Sequence, residues 1–256
     1  MNHYELCAQT VVQFRNIETD SFCGTGFLVG DKINAEIKGN IVHRLVTNRH
    51  IAINDNLGVI TNLKKPINDI HKALHDVKKF KFAWCYHAND KIDIATTVFS
   101  VSTKVEKGNQ TDYLEKINFF PTDQFISISE INEGDEVFFL GFPIGIGSNH
   151  IIYKPIYRHG YIAFKDKNYF YIDGHSFPGN SGSPVYILKK YYDKKNNNLI
   201  SEIKLAGIIN ANLSYSDICC STQTGKARIT FDENIGLCQA FSTDSIMECL
   251  KTVPKK

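Results

Sequence analysis

An all-β protein is what this sequence predicts, and three observations lead there. Short runs rich in β-branched and aromatic residues recur with turn signals between them, as at residues 136–140, 161–164 and 169–172. Glycines fall inside such runs where backbones must approach closely, as in Gly24-Thr25-Gly26. A chain of 256 residues has room for one large core or two small ones, so a pair of barrels fits its length.

Composition narrows the function classes. Apolar residues make up 43% and charged residues 22%, an ordinary balance for a soluble globular chain. A net charge of +2 gives no reason to expect a nucleic-acid or membrane surface, and Lys189-Lys190 and Lys194-Lys195 read as solvated loop faces. No apolar run approaches the ~18 residues of a membrane helix. The first seven residues have neither a basic start nor a long apolar segment, so no secretory leader is expected. The seven cysteines, odd in number and without C-x-x-C spacing, then read as free thiols of a cytoplasmic protein. Cys219-Cys220 has no histidine or cysteine cluster beside it to make a metal site.

Taken in order, residues 10–14 form a β-branched strand, residues 22–29 a second, and residues 41–47 a third that delivers His50. Residues 31–40 read as a loop or hairpin. Residues 66–82 have partly helical spacing, with Ile67, Ile70, Leu74 and Val77 on one side. His71 and His75 stand four apart there, but no third ligand and no intervening Glu accompany them, so they read as surface histidines. Residues 80–84 form a strand, residues 96–101 close the first barrel, and the polar stretch 103–116 connects the barrels. The expected division is a unit of residues 1–115 carrying His50 and Asp93, and a unit of 116–256 carrying Ser181. In the second unit residues 136–140, 151–153, 161–164 and 169–172 are strands. Residues 185–192 and 199–209 form a long hairpin with a polar, mobile tip, and residues 235–241 a last strand. Ser242-Thr243-Asp244 caps a short helix over residues 245–251 that ends near Pro254.

The chemistry centres on Gly179-Asn180-Ser181-Gly182. Glycines permit a sharp turn that presents amides outward, so those of Gly179 and Ser181 can converge on an oxyanion beside the Ser181 hydroxyl. Alone, this stretch is as well explained by an ordinary glycine–serine turn. Upstream, however, lie Thr47-Asn48-Arg49-His50 and Asp93-Ile94-Ala95. Together they supply a base, a carboxylate to orient it and a nucleophile, in the chain order His, Asp, Ser.

At these residues the chain resembles the trypsin-like serine peptidases of chymotrypsin fold. The likeness is greatest to their bacterial branch of glutamyl endopeptidases and heat-shock-type proteases. Leu140-Gly141-Phe142-Pro143 and the stretch 155–160 also resemble family segments, and matching positions run from about Gly24 to Ala240. The resemblance implies two six-stranded antiparallel β-barrels with a short C-terminal helix, and a serine endopeptidase with His50, Asp93 and Ser181 as its triad. It prefers Asp93 to Asp90, because Ile94-Ala95 follows it, and Ser181 to Ser183. The oxyanion hole would comprise Gly179, Asn180 and Ser181. The substrate pocket would be walled by His175, Phe177, Pro178, Asn210, Ala211 and Asn212. No metal or organic cofactor is implied, and the partner is a protein or peptide substrate. An inactive peptidase-fold scaffold is the alternative. Acyl transfer from esters is a weaker one, since the loop is not a Gly-x-Ser-x-Gly elbow.

Four departures from the family qualify the expectation. Ile51 follows His50 where secreted digestive enzymes have a disulfide-bonded cysteine. Asn180 stands where those enzymes have an aspartate that pairs with a cleaved N-terminus, so activation of that kind is not expected. Asn180 both donates and accepts hydrogen bonds, and its side chain is expected to tie the loop to nearby backbone instead. Gly207-Ile208-Ile209 lacks the histidine of glutamyl endopeptidases, and His175 replaces the aspartate of Lys/Arg-specific enzymes.

Overall fold

The computed structural model describes residues 3–31, 42–54, 56–61, 74–76, 83–99, 118–143, 154–193 and 197–252. The first half forms a sheet from β1 (Val11–Asn16), β2 (Phe22–Asp31), β3 (Val42–Thr47), β4 (Leu57–Thr61), β5 (Leu74–Asp76), β6 (Cys85–Tyr86) and β7 (Ala95–Val98). Their order is β5-β4-β1-β2-β3-β7-β6, all antiparallel, and β8 (Phe120–Pro121) joins β2 in parallel. The second half comprises β9 (Glu136–Gly141), β10 (Ile156–Lys165), β11 (Tyr169–Asp173), β12 (Pro184–Asp193), β13 (Asn198–Cys220) and β14 (Ala227–Ser242). These close into an antiparallel barrel in the order β10-β11-β14-β13-β12-β9. Among the described residues the α-helices are α1 (His3–Thr10), the single turn α2 (Arg49–Ala52) and α3 (Thr243–Leu250). The all-β class, two sheets and C-terminal helix agree with the expectation, and the second barrel has its six strands. The ends of the first sheet, β5 and β6, flank residues 77–82, which lie outside the described residues.

Alternation along the strands sorts side chains among three cores. On β9, Val137 and Phe139 join the barrel interior, whereas Phe138 and Leu140 face a core shared by the two halves. On β2, Phe27 and Val29 reach that shared core while Leu28 points into the first sheet's own. Strands with both faces buried read as continuous apolar runs, which is why the stretches at 27–29 and 137–140 are so apolar.

Two helices strap the halves together. α1 belongs to the first half but packs on the second: Tyr4 lies 5.0 Å from Phe138 and 5.6 Å from Tyr157, both edge-on. The Thr10 hydroxyl, which donates to the Cys7 carbonyl at 2.8 Å, also lies 3.2 Å from the buried Tyr186 hydroxyl. α3 crosses the other way, its Cys249 thiol 3.5 Å from the Cys85 carbonyl. Ser242 caps α3 as the sequence suggests, though the helix begins at Thr243. Asp244 accepts from the Ile128 amide at 2.8 Å.

Several elements differ from the sequence reading. The helical spacing over 66–82 gives way, where described, to strand β5, whose Leu74 pairs with Ile60 of β4. His75 therefore sits in a strand, and His71 lies outside the described residues. α1 and β4 are additional elements. β13 and β14 extend to Cys220 and back from Ala227, far beyond the expected 209 and 235. Residues 83–84 lie outside β6, and the expected elements at 32–40, 103–116, 151–153, 194–196 and Pro254 fall outside the described residues.

Candidate active site

His50 is positioned by the turn that follows β3. Asn48 leads into α2 and its carbonyl accepts from the Ile51 and Ala52 amides at 3.2 and 3.1 Å. This turn grips Asp93 at four points. The Asn48 side chain and the Arg49 amide donate to the Asp93 carbonyl at 2.8 and 3.4 Å. The His50 amide donates to Oδ1 at 3.0 Å, and His50 Nδ1 lies 2.5 Å from Oδ2. Buried Ile92 and Ile94 anchor the Asp93 loop on either side. Partial burial alone would raise the Asp93 carboxyl. The hydrogen bond and charge of His50, with the amides of His50 and Arg49, outweigh it and hold the group below its ordinary value. Asp90, the rival carboxylate, is exposed and pairs with Arg49 at 2.5 Å instead.

The serine loop is two consecutive turns. The Asn180 amide donates to the Phe177 carbonyl at 2.9 Å, with Pro178 and Gly179 (φ 99°) at the central positions. The Ser183 amide donates to the Asn180 carbonyl at 2.9 Å, with Gly182 (φ 84°) as the second central residue. A positive φ at that position defines a type II turn and requires glycine, which accounts for both glycines of the motif. Among the described residues the amides of Gly179 and Ser181 donate to no protein group.

Thr25 of β2 fastens this loop to the first sheet. Its hydroxyl donates to the Gly179 carbonyl at 2.8 Å and accepts from the Phe142 amide at 3.1 Å. Its amide donates to the Ser181 carbonyl at 2.9 Å, and its carbonyl accepts from the Thr47 hydroxyl at 2.8 Å. A Cβ on Gly182 would overlap the Thr25 carbonyl oxygen. A Cβ on Gly24 would overlap Ile51, next to His50, and lie 3.4 Å from the Ser181 carbonyl oxygen. The serine loop and the histidine turn thus meet across Gly24 and Thr25. The Ser181 hydroxyl donates to the Asn210 carbonyl of β13 at 3.1 Å. The expected tie through Asn180 differs: its buried Nδ2 has no partner among the described residues, and the Thr25 hydroxyl holds the loop instead.

The expected pocket residues lie on two adjoining segments. His175 is exposed, stacks on Phe177 with centroids 6.4 Å apart, and faces Gly236 of β14. The Arg158 guanidinium lies 4.7 Å over the Phe177 ring and donates to the His175 carbonyl at 3.3 Å. Asn234 donates to the Ser176 carbonyl at 2.8 Å, fixing this segment to β14. Opposite, the Asn210 side chain donates to Gln239 at 2.9 Å, with Ala211 exposed and Asn212 half-buried beyond it. Pro178 is exposed at the rim. Sequence reasoning missed Thr25, Asn48, Arg158, Asn234, Gly236 and Gln239. Asn48 in the Thr-Asn-Arg-His stretch, Thr25 between two glycines and Arg158 in the stretch 155–160 lay in motifs without being given a role, and the other three carried no signal.

The trypsin-like peptidase domain family matches residues 24–189, a span that includes His50, Asp93 and Ser181, and the chain belongs to that family. No curated protein matches it. Among solved structures, HBP at atomic resolution is 10% identical, with a TM-score of 0.55 over 97% of this chain and 95% of that one. This likeness shows the shared fold. An HtrA-type protease, AlgW with a decapeptide, is 12% identical with a TM-score of 0.47. It covers 98% of this chain, which spans 66% of that protease's length.

Proposed function

We propose that the chain is a serine endopeptidase that hydrolyses peptide bonds through His50, Asp93 and Ser181. The observation that carries this reading is the two-point hold of the Asp93 carboxylate on His50, at its amide and at Nδ1. With Nδ1–H committed to Asp93, Nε2 is left as the base. The Ser181 hydroxyl turns from the Asn210 carbonyl toward that nitrogen, gives up its proton as it attacks the substrate carbonyl, and an acyl-enzyme forms when His50 protonates the leaving amine. Water then repeats the sequence and releases the acid. The outward amides of Gly179 and Ser181 supply the oxyanion donors, each worth about 3–4 kcal/mol of transition-state stabilisation. Asp93, held ionised, balances the imidazolium. No cofactor enters any step.

A second reading, an inactive scaffold that binds polypeptides, draws on the hydroxyl of Ser181 resting on Asn210 rather than on His50. A fluorophosphonate probe separates the two. The endopeptidase reading expects stoichiometric labelling of the wild type, abolished in Ser181→Ala. An unlabelled wild type would favour the scaffold. We further propose a cytoplasmic location, a reading supported by seven cysteines that stand as free thiols, four of them buried. Mild reductant should then leave the melting temperature unmoved, and a large fall would contradict that placement.

A further inference from the structure

In its outer part β13 leaves the barrel with β14 as a two-stranded ribbon, paired from Ser214↔Asn234 to Cys220↔Ala227. β12 covers the other edge of β13 only as far as Ile208, so along the ribbon that edge has no strand against it among the described residues. A two-stranded ribbon is marginal alone, and an open edge is a template for another strand. Charge is divided along this ribbon. Asp217, Asp232 and Glu233 lie toward its base and Lys226 and Arg228 at its tip, all of them exposed. The Tyr215 and Ser216 hydroxyls donate to Glu233 and Asp232. Asp217, on the edge strand itself, instead accepts from the neighbouring Ile218 amide at 2.8 Å. Lys226 and Arg228 have no ion pair among the described residues.

We propose that the ribbon is an interface with a second copy of this chain: the outer part of β13 pairs antiparallel with its own copy about a two-fold axis at Ile218, making a four-stranded sheet across a dimer. Register and charge identify the occupant. A two-fold axis perpendicular to the sheet keeps every side chain on its own face, so one residue must lie opposite its own copy. Centring on Asp217 would set like charges face to face, which opposes pairing. Centres nearer the barrel drive the copy's tip toward β12, which holds the edge from Ile208 inward. Centres nearer the tip lose pairs. Centring on Ile218 matches two large apolar side chains, each 54% exposed in the single chain, and sets Asp217 opposite Cys219. The antiparallel arrangement then lays tip against base. The register of β13 with β14 shifts between Cys219 and Cys220, and Arg228 is the extra residue there. Arg228 therefore stands two strand spacings, about 10 Å, from Asp217 of the copy. Guanidinium and carboxylate together bridge that gap, and their pairing draws Asp217 off the Ile218 amide as the edges join. A strand without such a cation would leave the carboxylate on the edge, where it bars pairing. The contact is small, so the dimer is weak and exchanging, micromolar rather than nanomolar.

The test is sedimentation of the full chain over a range of concentrations, and it is independent of catalysis. The wild type should pass from monomer to dimer as concentration rises. Ile218→Lys, which sets two like charges opposite each other, should raise the dissociation constant about tenfold or more. Arg228→Glu and Asp217→Lys each create a like-charge contact across the axis, and each alone should weaken the dimer about tenfold. Mixed in equal amounts, those two variants should associate about as tightly as the wild type, because the mixed dimer has an ion pair at both places. A change of fold in either variant could not produce that recovery. A wild type that stays monomeric at every concentration would give the edge to some other partner and overturn the interface. A dimer indifferent to Ile218→Lys would place the contact on another face and overturn it equally. So would a mixture that associates no better than its components.

Discussion

Asp93 presents its carboxylate to His50 and its carbonyl to Asn48 and Arg49, so one residue fixes both the histidine and the turn that carries it. Asp93→Asn keeps the shape but offers Nδ1 an amide that can hold the wrong tautomer, and kcat should fall about 10⁴-fold. The same substitution tests the carboxyl's depressed pKa. A depressed folded value stabilises fully above the unfolded value of about 3.9 and is lost as pH falls through the lower folded value. The urea midpoints of wild type and Asp93→Asn, followed from about pH 5 to about pH 2, should therefore draw together toward the acid end. A constant gap would show that the carboxyl is not held low. Thr25→Val strands the Gly179 carbonyl and the Phe142 amide, costing about 1–3 kcal/mol in stability. It should also lower kcat up to about 100-fold through a misplaced Gly179 amide. An unaffected kcat would mean that Asn180, not Thr25, sets the loop. The approach of Asp93 to His50, and of the serine loop to the histidine turn, was legible because these residues sit in short motifs whose chemistry shows in their neighbours. Thr25 and Asn234 were not, because their partners lie 154 and 58 residues away.

At the scale of elements, α3 reaches the Asp93 loop through His87. The Asn89 amide donates to His87 Nδ1 at 3.0 Å, which leaves Nε2–H to donate to Glu248 at 3.0 Å. The two partners differ sharply in burial, the His87 side chain being 5% exposed and that of Glu248 63%. His87→Ala should cost about 1–3 kcal/mol by stranding the Asn89 amide, with a fall in kcat as the loop loosens. Glu248→Gln, which keeps an acceptor on an exposed side chain, should cost no more than about 1 kcal/mol. Thermal melts and kcat of both variants decide it: equal losses would make the bond to Glu248, not the bond to the Asn89 amide, the clasp. The strands read well where both faces are buried, as at β2 and β9. β13 was cut short at 209 because the register shifts between Ile209 and Ala211 and again between Asn212 and Ser214, and such bulges break the alternation that marks a strand. α1 escaped notice because eight residues without a capping signal form a helix only when tertiary packing, here of Tyr4 and Cys7, holds them.

For the whole molecule, the core shared by the two halves decides how the chain unfolds. Phe27 and Val46 of the first sheet, Phe138 and Tyr186 of the barrel, and Ile246 and Leu250 of α3 all belong to it. Each half also has an interior of its own, so two separate transitions are the default for a chain of this size. Two features oppose separation. Splitting the halves would expose the shared core from both sides, and α1 and α3 each pack on the far half as well as on the one beside them in the sequence. The single tryptophan makes the outcome measurable, since Trp84 sits in the first half, 6.3 Å from Phe14 of β1. Phe170, fully buried in the barrel interior, lies in the other half. Phe170→Ala should cost about 3–5 kcal/mol by leaving a cavity there. If the halves unfold as one, the urea midpoint of Trp84 fluorescence should fall by as much as the midpoint of far-ultraviolet circular dichroism, although the substitution is remote from the tryptophan. A Trp84 transition that stays in place while the dichroism splits into two steps would show that the barrel melts alone. The serine loop would then leave the histidine turn before the first sheet unfolds, and activity would follow the dichroism's first step rather than the fluorescence.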